Sequence, residues 1–309
     1  GLILGIALAF ARDFFDDTIK SRRDLERATN GSSLLGIIPI EAEWTDPSAT
    51  YVALRSDPTS GASEAYRTLR TAVQFVSTDP PLKVLSITSA VLGEGKTTTV
   101  ANLAISFGRA GRRVVVVDYD LRRPRLHLFF NNDNTVGLTS VLTGGATLRD
   151  AVVAVEGEPN VVFIPSGPIP DNPAELLSMD RNRTLVESLS ARADVVLLDC
   201  PPVLPVSDAL ITSLLSDGIV LVASAGTTKK TGLQRACELL WQVEAPVIGV
   251  ALNKVPISDS YQYNYGYYYS SEYSRSSSNG KTRANGSSNG KSRANGSSNG
   301  KTPTRVGQR

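Results

Sequence analysis

Residues 89–99, SAVLGEGKTTT, place two glycines, a lysine and four hydroxyls in an order suited to holding phosphate. Gly93 and Gly95 let backbone N–H groups turn toward an anion without Cβ obstruction, and a helix starting near Thr97 adds the partial positive charge of its N-terminus. Lys96 can reach the β and γ phosphates of a nucleotide, and the Thr97 hydroxyl can sit on Mg²⁺. Glu94 and Thr98 complete the candidate nucleotide-binding stretch. The general pattern GxxxxGK[ST] opens with Gly where this chain has Ala90.

Carboxylates follow at two further points. VVVVDYDLRRP sets Asp118 and Asp120 two residues apart at a strand exit, so both can face one crevice. VVLLDCPP puts Asp199 at the end of another strand, the position of a metal-supporting acid. Three carboxylates around one phosphate would repel it, whereas Mg²⁺ between them reverses the sign; opposite unit charges 4 Å apart attract by about 4 kcal/mol at an effective dielectric near 20. The pattern therefore predicts ATP with Mg²⁺.

Seven of the ten tyrosines, Tyr261, Tyr263, Tyr265, Tyr267, Tyr268, Tyr269 and Tyr273, fall in the run YQYNYGYYYSSEY. With no aliphatic residue among them the run is not a buried strand, and it offers a block of phosphoryl acceptors on the same chain as a phosphate loop. A sticky aromatic linker is the plainer reading of the same run.

These groups need a scaffold that brings strand ends together. From Lys83 onward, β-branched runs alternate with helical segments: Val84 to Thr88, Val114 to Asp118, Val161 to Pro165, Val195 to Asp199, Ile219 to Ala223 and Val247 to Asn253. This alternation predicts a mostly parallel α/β sheet with helices on both faces, and near-continuous apolarity predicts strands covered on both sides. Seven or eight strands are expected, since six clear runs leave edge strands uncounted. All the acids and the glycine loop then share the carboxyl edge of the sheet, where ligands bind. Before the first strand, residues 63–76 read as a helix with Ala65, Leu69, Ala72, Val73 and Val76 on one face. Glu64, Arg67 and Arg70 line another face, which on the residues alone is equally a solvated charged surface.

The remainder bounds the answer. Residues 1–11 are apolar and too short to span a bilayer, which needs roughly 20 residues; with Lys20, Arg22 and Arg23 following, they read as the end of a truncated transmembrane helix entering the cytoplasm. Residues 12–60, punctuated by Asn30, Gly31, Pro39, Pro47 and Pro58, read as a juxtamembrane connector. Residues 61–257 form the nucleotide-binding domain, 258–275 the tyrosine cluster, and 276–309 a basic tail in which SSNGK recurs at Ser277, Ser287 and Ser297, with almost nothing to build a core. Disorder is expected in this tail. From Ser270 onward eight Lys or Arg stand against one acid, while the rest carries 24 against 29. Cys200 and Cys237 have no metal-ligand spacing and His127 stands alone, which argues against a structural zinc site.

Together the phosphate loop, DYDLRRP, DCPP and the tyrosine run resemble the bacterial tyrosine kinases of exopolysaccharide and capsule assembly. The resemblance extends over roughly Ser63 to Asn253, including EAYRTLR and PSGPIPDNPAELL, and continues upstream where IKSRRDLE and LLGIIP resemble the cytoplasmic exit of a polysaccharide chain-length regulator. Leu92 departs from the family, which often has Pro there. The resemblance implies a P-loop NTPase fold in which Lys96 and Thr97 bind phosphate and Mg²⁺, Asp120 and Asp199 support the metal, and Asp118 orients or deprotonates the incoming tyrosine. It implies that Asn253 and Lys254 lie on the purine side, that Glu64, Arg67 and Arg70 make subunit contacts, and that a ring of copies phosphorylates tails in trans. It also implies a cell-membrane protein whose kinase domain is cytoplasmic, with the polysaccharide polymerase and export machinery and a tyrosine phosphatase as partners, and no nucleic acid.

The expected activity is ATP-dependent autophosphorylation on tyrosine. Two alternatives stay open at this point: a non-kinase P-loop ATPase acting as a positioning switch, and a co-polymerase subunit that binds nucleotide only to assemble. The positioning ATPases generally carry a second lysine where this chain has Val91.

Overall fold

The computed structural model describes Gly1 and residues 16–256, apart from 42, 43, 45, 47, 48, 77 and 78. The expected membrane-helix end at 1–11 (Gly1 apart), the tyrosine cluster and the repeat tail lie outside the described residues. Within them no helix is long and apolar enough to cross a membrane.

Eight strands form one sheet: β1 (Leu34–Pro39), β2 (Val84–Ser89), β3 (Val114–Asp118), β4 (Val153–Ala154), β5 (Val161–Ile164), β6 (Val195–Asp199), β7 (Gly218–Ser224) and β8 (Val247–Val255). Their order across the sheet is β1-β8-β7-β2-β6-β3-β5-β4. Every pairing is parallel except β4 with β5. The α/β expectation is borne out, and the two strands that the sequence hides are the edge strands.

Alternation along each strand divides the core between the two faces. Val114 and Val116 of β3 join an apolar cluster with α3 (Gly61–Val76) and α4 (Lys96–Arg109). Val115 and Val117 face the other way, toward α6 (Leu138–Thr143) and α9 (Asp180–Ser190). Beyond β2, on β7 and β8, a third cluster is formed with α1 (Arg22–Ala28) and α11 (Lys230–Gln242). Shorter helices α2 (Ala53–Ser56), α5 (Leu126–Phe129), α7 (Leu148–Ala151), α8 (Pro173–Leu177) and α10 (Asp208–Ser213) fill the connections.

The connector reading of residues 12–60 needs correction. Leu34–Pro39 pairs with β8 as an edge strand, and α1 buries Leu25 and Ala28 in the third cluster. Gly36 permits this because α3 crosses so close that a Cβ there would meet Leu69 at 3.1 Å. On α3 the buried stripe is Ala62, Tyr66, Leu69 and Val73; Val76, expected inside, is exposed at the helix end.

Candidate active site

Central strand β2 leads into the loop Ala90–Gly95 and then α4, so the glycine loop sits at the carboxyl edge of the sheet. Beside it, β6 and β3 bring Asp199 and Asp118 into register as Cα partners. Thr88 reinforces the junction, its hydroxyl donating to the Pro201 carbonyl at 2.6 Å. Ala90 is buried with Val203 and Leu221, which gives its methyl group a packing role where the general motif has Gly.

The loop takes the shape an anion cradle needs. Gly93 and Gly95 adopt φ of +83° and +96°, and Gly95, at the cap position before α4, leaves the helix's first turn with no side chain capping it. Uncapped N–H groups at a helix start are anion-binding groups. Contacts from within and beyond the loop hold it. Val91 N–H donates to Glu94 Oε2 at 2.9 Å, the Thr228 hydroxyl donates to Glu94 Oε1, Asn253 Nδ2 donates to the Glu94 carbonyl at 3.0 Å, and Lys254 Nζ to the Gly93 carbonyl at 2.7 Å. Two expectations change accordingly. The Glu94 side chain is buried as an internal brace, leaving only its backbone for a nucleotide. Asn253 and Lys254, expected on the purine side, have their side-chain nitrogens bonded to the loop backbone.

Charge concentrates around Lys96. Its ammonium lies 2.8 Å from Asp120 Oδ2, and 3.4 Å from both Asp199 Oδ1 and Thr97 Oγ1. Burial alone would pull the ammonium's pKa down, but Asp199, Asp120 and Asp118 together hold it above the ordinary lysine value. Burial pushes Asp199 up against the opposing effect of Lys96. Asp118 is pushed well above the usual carboxylate range by burial, then by Asp199. Both Asp118 oxygens accept backbone N–H groups, from Asp120 and from Leu126, each at 3.1 Å. Asp118 therefore shapes the loop after β3, in which Asp120 Oδ1 also accepts from Arg123 N–H at 3.0 Å.

One atom of this cluster has no protein partner: buried Asp199 Oδ2 lacks any hydrogen bond. A desolvated carboxylate oxygen without a donor is costly, and a cation relieves it. Among the described residues no set of three or more His, Cys, Asp or Glu is arranged to cage a metal ion. Mg²⁺ keeps waters and takes one or two carboxylates plus phosphate oxygens. Thr97, Asp120 and Asp199 thus fit such an ion. Two cavities of about 440 and 640 Å³ open beside Arg113, where the strands begin, away from Lys96.

Glu64, Arg67 and Arg70 do not act alike. Glu64 and Arg67 pair at 2.8 Å near the surface, and Arg67 also donates to the Pro58 carbonyl at 2.6 Å. Arg70 turns inward, donating to the Ser106 carbonyl of α4 at 2.9 Å with its Nε buried and unpartnered. Sequence reasoning missed Thr228, which lies in a Gly- and Thr-rich turn with no motif to flag it. It also missed Arg122, whose guanidinium grips Asp208 bidentately at 2.7 and 3.0 Å; the charged RR pair after Asp120 was the available signal.

The model of the AAA domain family matches residues 82–247. Tyrosine-protein kinase YwqD of Bacillus subtilis is 43% identical over 214 residues, which are 69% of this chain and 90% of that protein. EpsB of Ralstonia solanacearum is 32% identical over 274 residues, 86% of this chain, but those cover only 36% of EpsB. Among solved structures, the kinase domain of Escherichia coli tyrosine kinase ETK superposes with a TM-score of 0.71 at 30% identity, covering 77% of this chain and 96% of that one. These likenesses favour the kinase over the positioning ATPase. With a phosphate loop on β2, acids ending β3 and β6, and relatives of this kind over most of its length, the chain belongs to the bacterial tyrosine-protein kinases.

Proposed function

We propose that the chain transfers the γ-phosphoryl group of ATP to tyrosine hydroxyls, with Tyr261, Tyr263, Tyr265, Tyr267, Tyr268, Tyr269 and Tyr273 as its own acceptors. The observation that carries this is the Lys96, Asp120 and Asp199 cluster at the sheet edge where β8 ends, because the chain that bears the tyrosines departs from that edge after Val255. A coil of about fifteen residues, the separation in sequence between Asn253 and the middle of the tyrosine run, has a reach near 20 Å, enough for attack on nucleotide held by the same copy or a neighbour.

In this reading the backbone of Gly93 to Thr98 holds the phosphates and Lys96 moves from its carboxylates onto the β and γ oxygens. Thr97, Asp120 and Asp199 would hold Mg²⁺, which when bound would supply positive charge to the phosphate oxygens. The tyrosine oxygen forms the new bond to the γ phosphorus as the bond to the β–γ bridging oxygen breaks, and ADP leaves. Asp118 orients the hydroxyl and accepts its proton; its raised pKa brings it nearer that task than an ordinary aspartate, and each of its oxygens keeps a second lone pair. Tyrosine has a pKa near 10, so such assistance is useful, although positioning and charge stabilisation carry most phosphoryl transfer.

The same reading places the kinase on the cytoplasmic side of the cell membrane, assembled as a ring through Glu64 and Arg67. Each phosphate adds about 1.5 to 2 negative charges, so crowded phosphorylated tails repel and loosen the ring, while a phosphatase restores it. That cycle would regulate exopolysaccharide polymerisation and export. The test is phosphopeptide mapping after incubation with Mg²⁺ and ATP. Phosphate on residues 261–273 that disappears in Lys96→Ala is expected; phosphate retained in that variant, or none in wild type that binds ATP, would sink the proposal.

A further inference from the structure

The phosphate loop has a rear support outside its motif. Glu94 is 1% exposed, and its carboxylate accepts from Val91 N–H within the loop and from the Thr228 hydroxyl, which comes from the turn after β7. Thr228 is itself buried and fully used: its hydroxyl oxygen accepts from Ser224 N–H at 2.7 Å, and its carbonyl accepts from Ile19 N–H at 2.9 Å. Ile19 belongs to the stretch that enters the domain, and that stretch is laced along the turn after β7. Thr18 bridges Lys229 in antiparallel fashion, and Gly226 N–H donates to the Ile19 carbonyl at 2.9 Å. Lys230 N–H donates to the Asp17 carbonyl at 2.7 Å, and the Thr231 hydroxyl to Asp17 Oδ2 at 2.6 Å. Fully buried Ile19 shares its apolar cluster with Ala90, the first residue of the phosphate loop.

We propose that Thr228 is a positioning residue for the phosphate loop and that residues 16–20 hold Thr228 in place, so that displacing this entering stretch loosens nucleotide binding. The proposal rests on the nucleotide-binding reading of the loop and adds a regulatory input to it. A buried carboxylate that loses a donor must find another or move toward water. Glu94 stands between Gly93 and Gly95, whose backbones have the freedom to follow it, so relief of the unpaired oxygen comes by rearranging the cradle itself. Force on the segment before Asp16 would act first on Ile19 and Asp17, then on Thr228, then on Glu94.

Calorimetric titration of the full chain with ADP and Mg²⁺ tests this, beside amide exchange of residues 91–98. Thr228→Val keeps the shape and removes the hydroxyl; it should weaken ADP about tenfold and speed exchange in the loop, while Thr228→Ser stays within about twofold of wild type. Asp17→Ala combined with Ile19→Ala should weaken ADP in the presence of Thr228 yet add little on top of Thr228→Val, the non-additivity expected of one shared route. If Thr228→Val does not fold, Thr228→Ala takes its place in the same cycle. Unchanged affinity and exchange in the hydroxyl-less variant, or full additivity of the two sets, would overturn the proposal. Wild type that binds ADP yet never phosphorylates tyrosine would remove the kinase reading and leave this one standing.

Discussion

Asn253 occupies the space a side chain on Gly95 would need. An ideal Cβ there would fall 2.0 Å from Asn253 Nδ2, the nitrogen that donates to the Glu94 carbonyl. The last strand of the sheet therefore fixes the residue type at the start of the phosphate-binding helix.

Gly95→Ala carries two penalties, the collision with Asn253 and a φ of +96° that an L side chain rarely adopts. Nucleotide affinity should fall by more than about tenfold, because the left-handed conformation alone costs roughly 1–2 kcal/mol for a residue with a Cβ. Adding Asn253→Ala should restore only part of the loss, since it removes the collision and not the strain. Full recovery in an ADP titration would show that φ is unimportant there.

Arg67 and Arg70 should separate in urea melts. Arg70→Ala removes a donor from the Ser106 carbonyl and the packing of a half-buried stem, so about 1–2 kcal/mol of stability should be lost. Arg67→Ala breaks a surface pair worth under about 1 kcal/mol. Sedimentation then tests the ring: assembly weakened by Arg67→Ala at unchanged stability supports a subunit contact, and unchanged assembly makes this end of the helix a solvated face.

Acid should erase the stabilising effect of Asp194. The Arg113 guanidinium and backbone N–H beside it lower its carboxyl to about 2. A depressed pKa contributes stability that is present above the unfolded value, about 3.9, and lost as pH falls through the folded value. Asp194→Asn should therefore lower the urea midpoint at pH 7, with the gap to wild type closing between about pH 4 and 2. A gap independent of pH would mean that shape, not charge, matters there.

Neither cysteine should react in the folded chain. Cys200 and Cys237 are buried, and burial pushes both thiols up to about 11. Iodoacetamide at pH 8 should leave native protein unmodified and alkylate both thiols in urea, as read by intact mass. Native labelling at Cys200, next to Asp199, would reveal opening of the β6 end.

How much of this was legible in the sequence depended on whether the signal was local. Strands β2, β3, β5, β6, β7 and β8 announced themselves because burial on both faces demands continuous apolar runs. Strand β1 did not: Asn30, Gly31 and Pro39 punctuate it, and its Gly36 is explained only by the approach of Leu69. Two-residue β4 is too short to carry a period. In the site, Lys96, Asp120 and Asp199 meet as their motifs implied, since parallel strands must deliver them to one edge. The inward turn of Arg70 and the bracing role of Asn253 and Lys254 depend on neighbours distant in the chain, to which no short pattern points.

The edge strand β1 has a consequence for how the molecule is made. Among the described strands it comes first in the chain, yet its hydrogen-bonding partner is the last of them, with Leu34 opposite Val250. The nascent sheet must therefore wait, its earliest strand unpaired, until nearly the whole domain has been synthesised, a non-local closure that slows folding and leaves edges open meanwhile. A chain shortened to begin after Pro39 would bear the same liability permanently, presenting the free edge of β8 to any other strand able to pair with it.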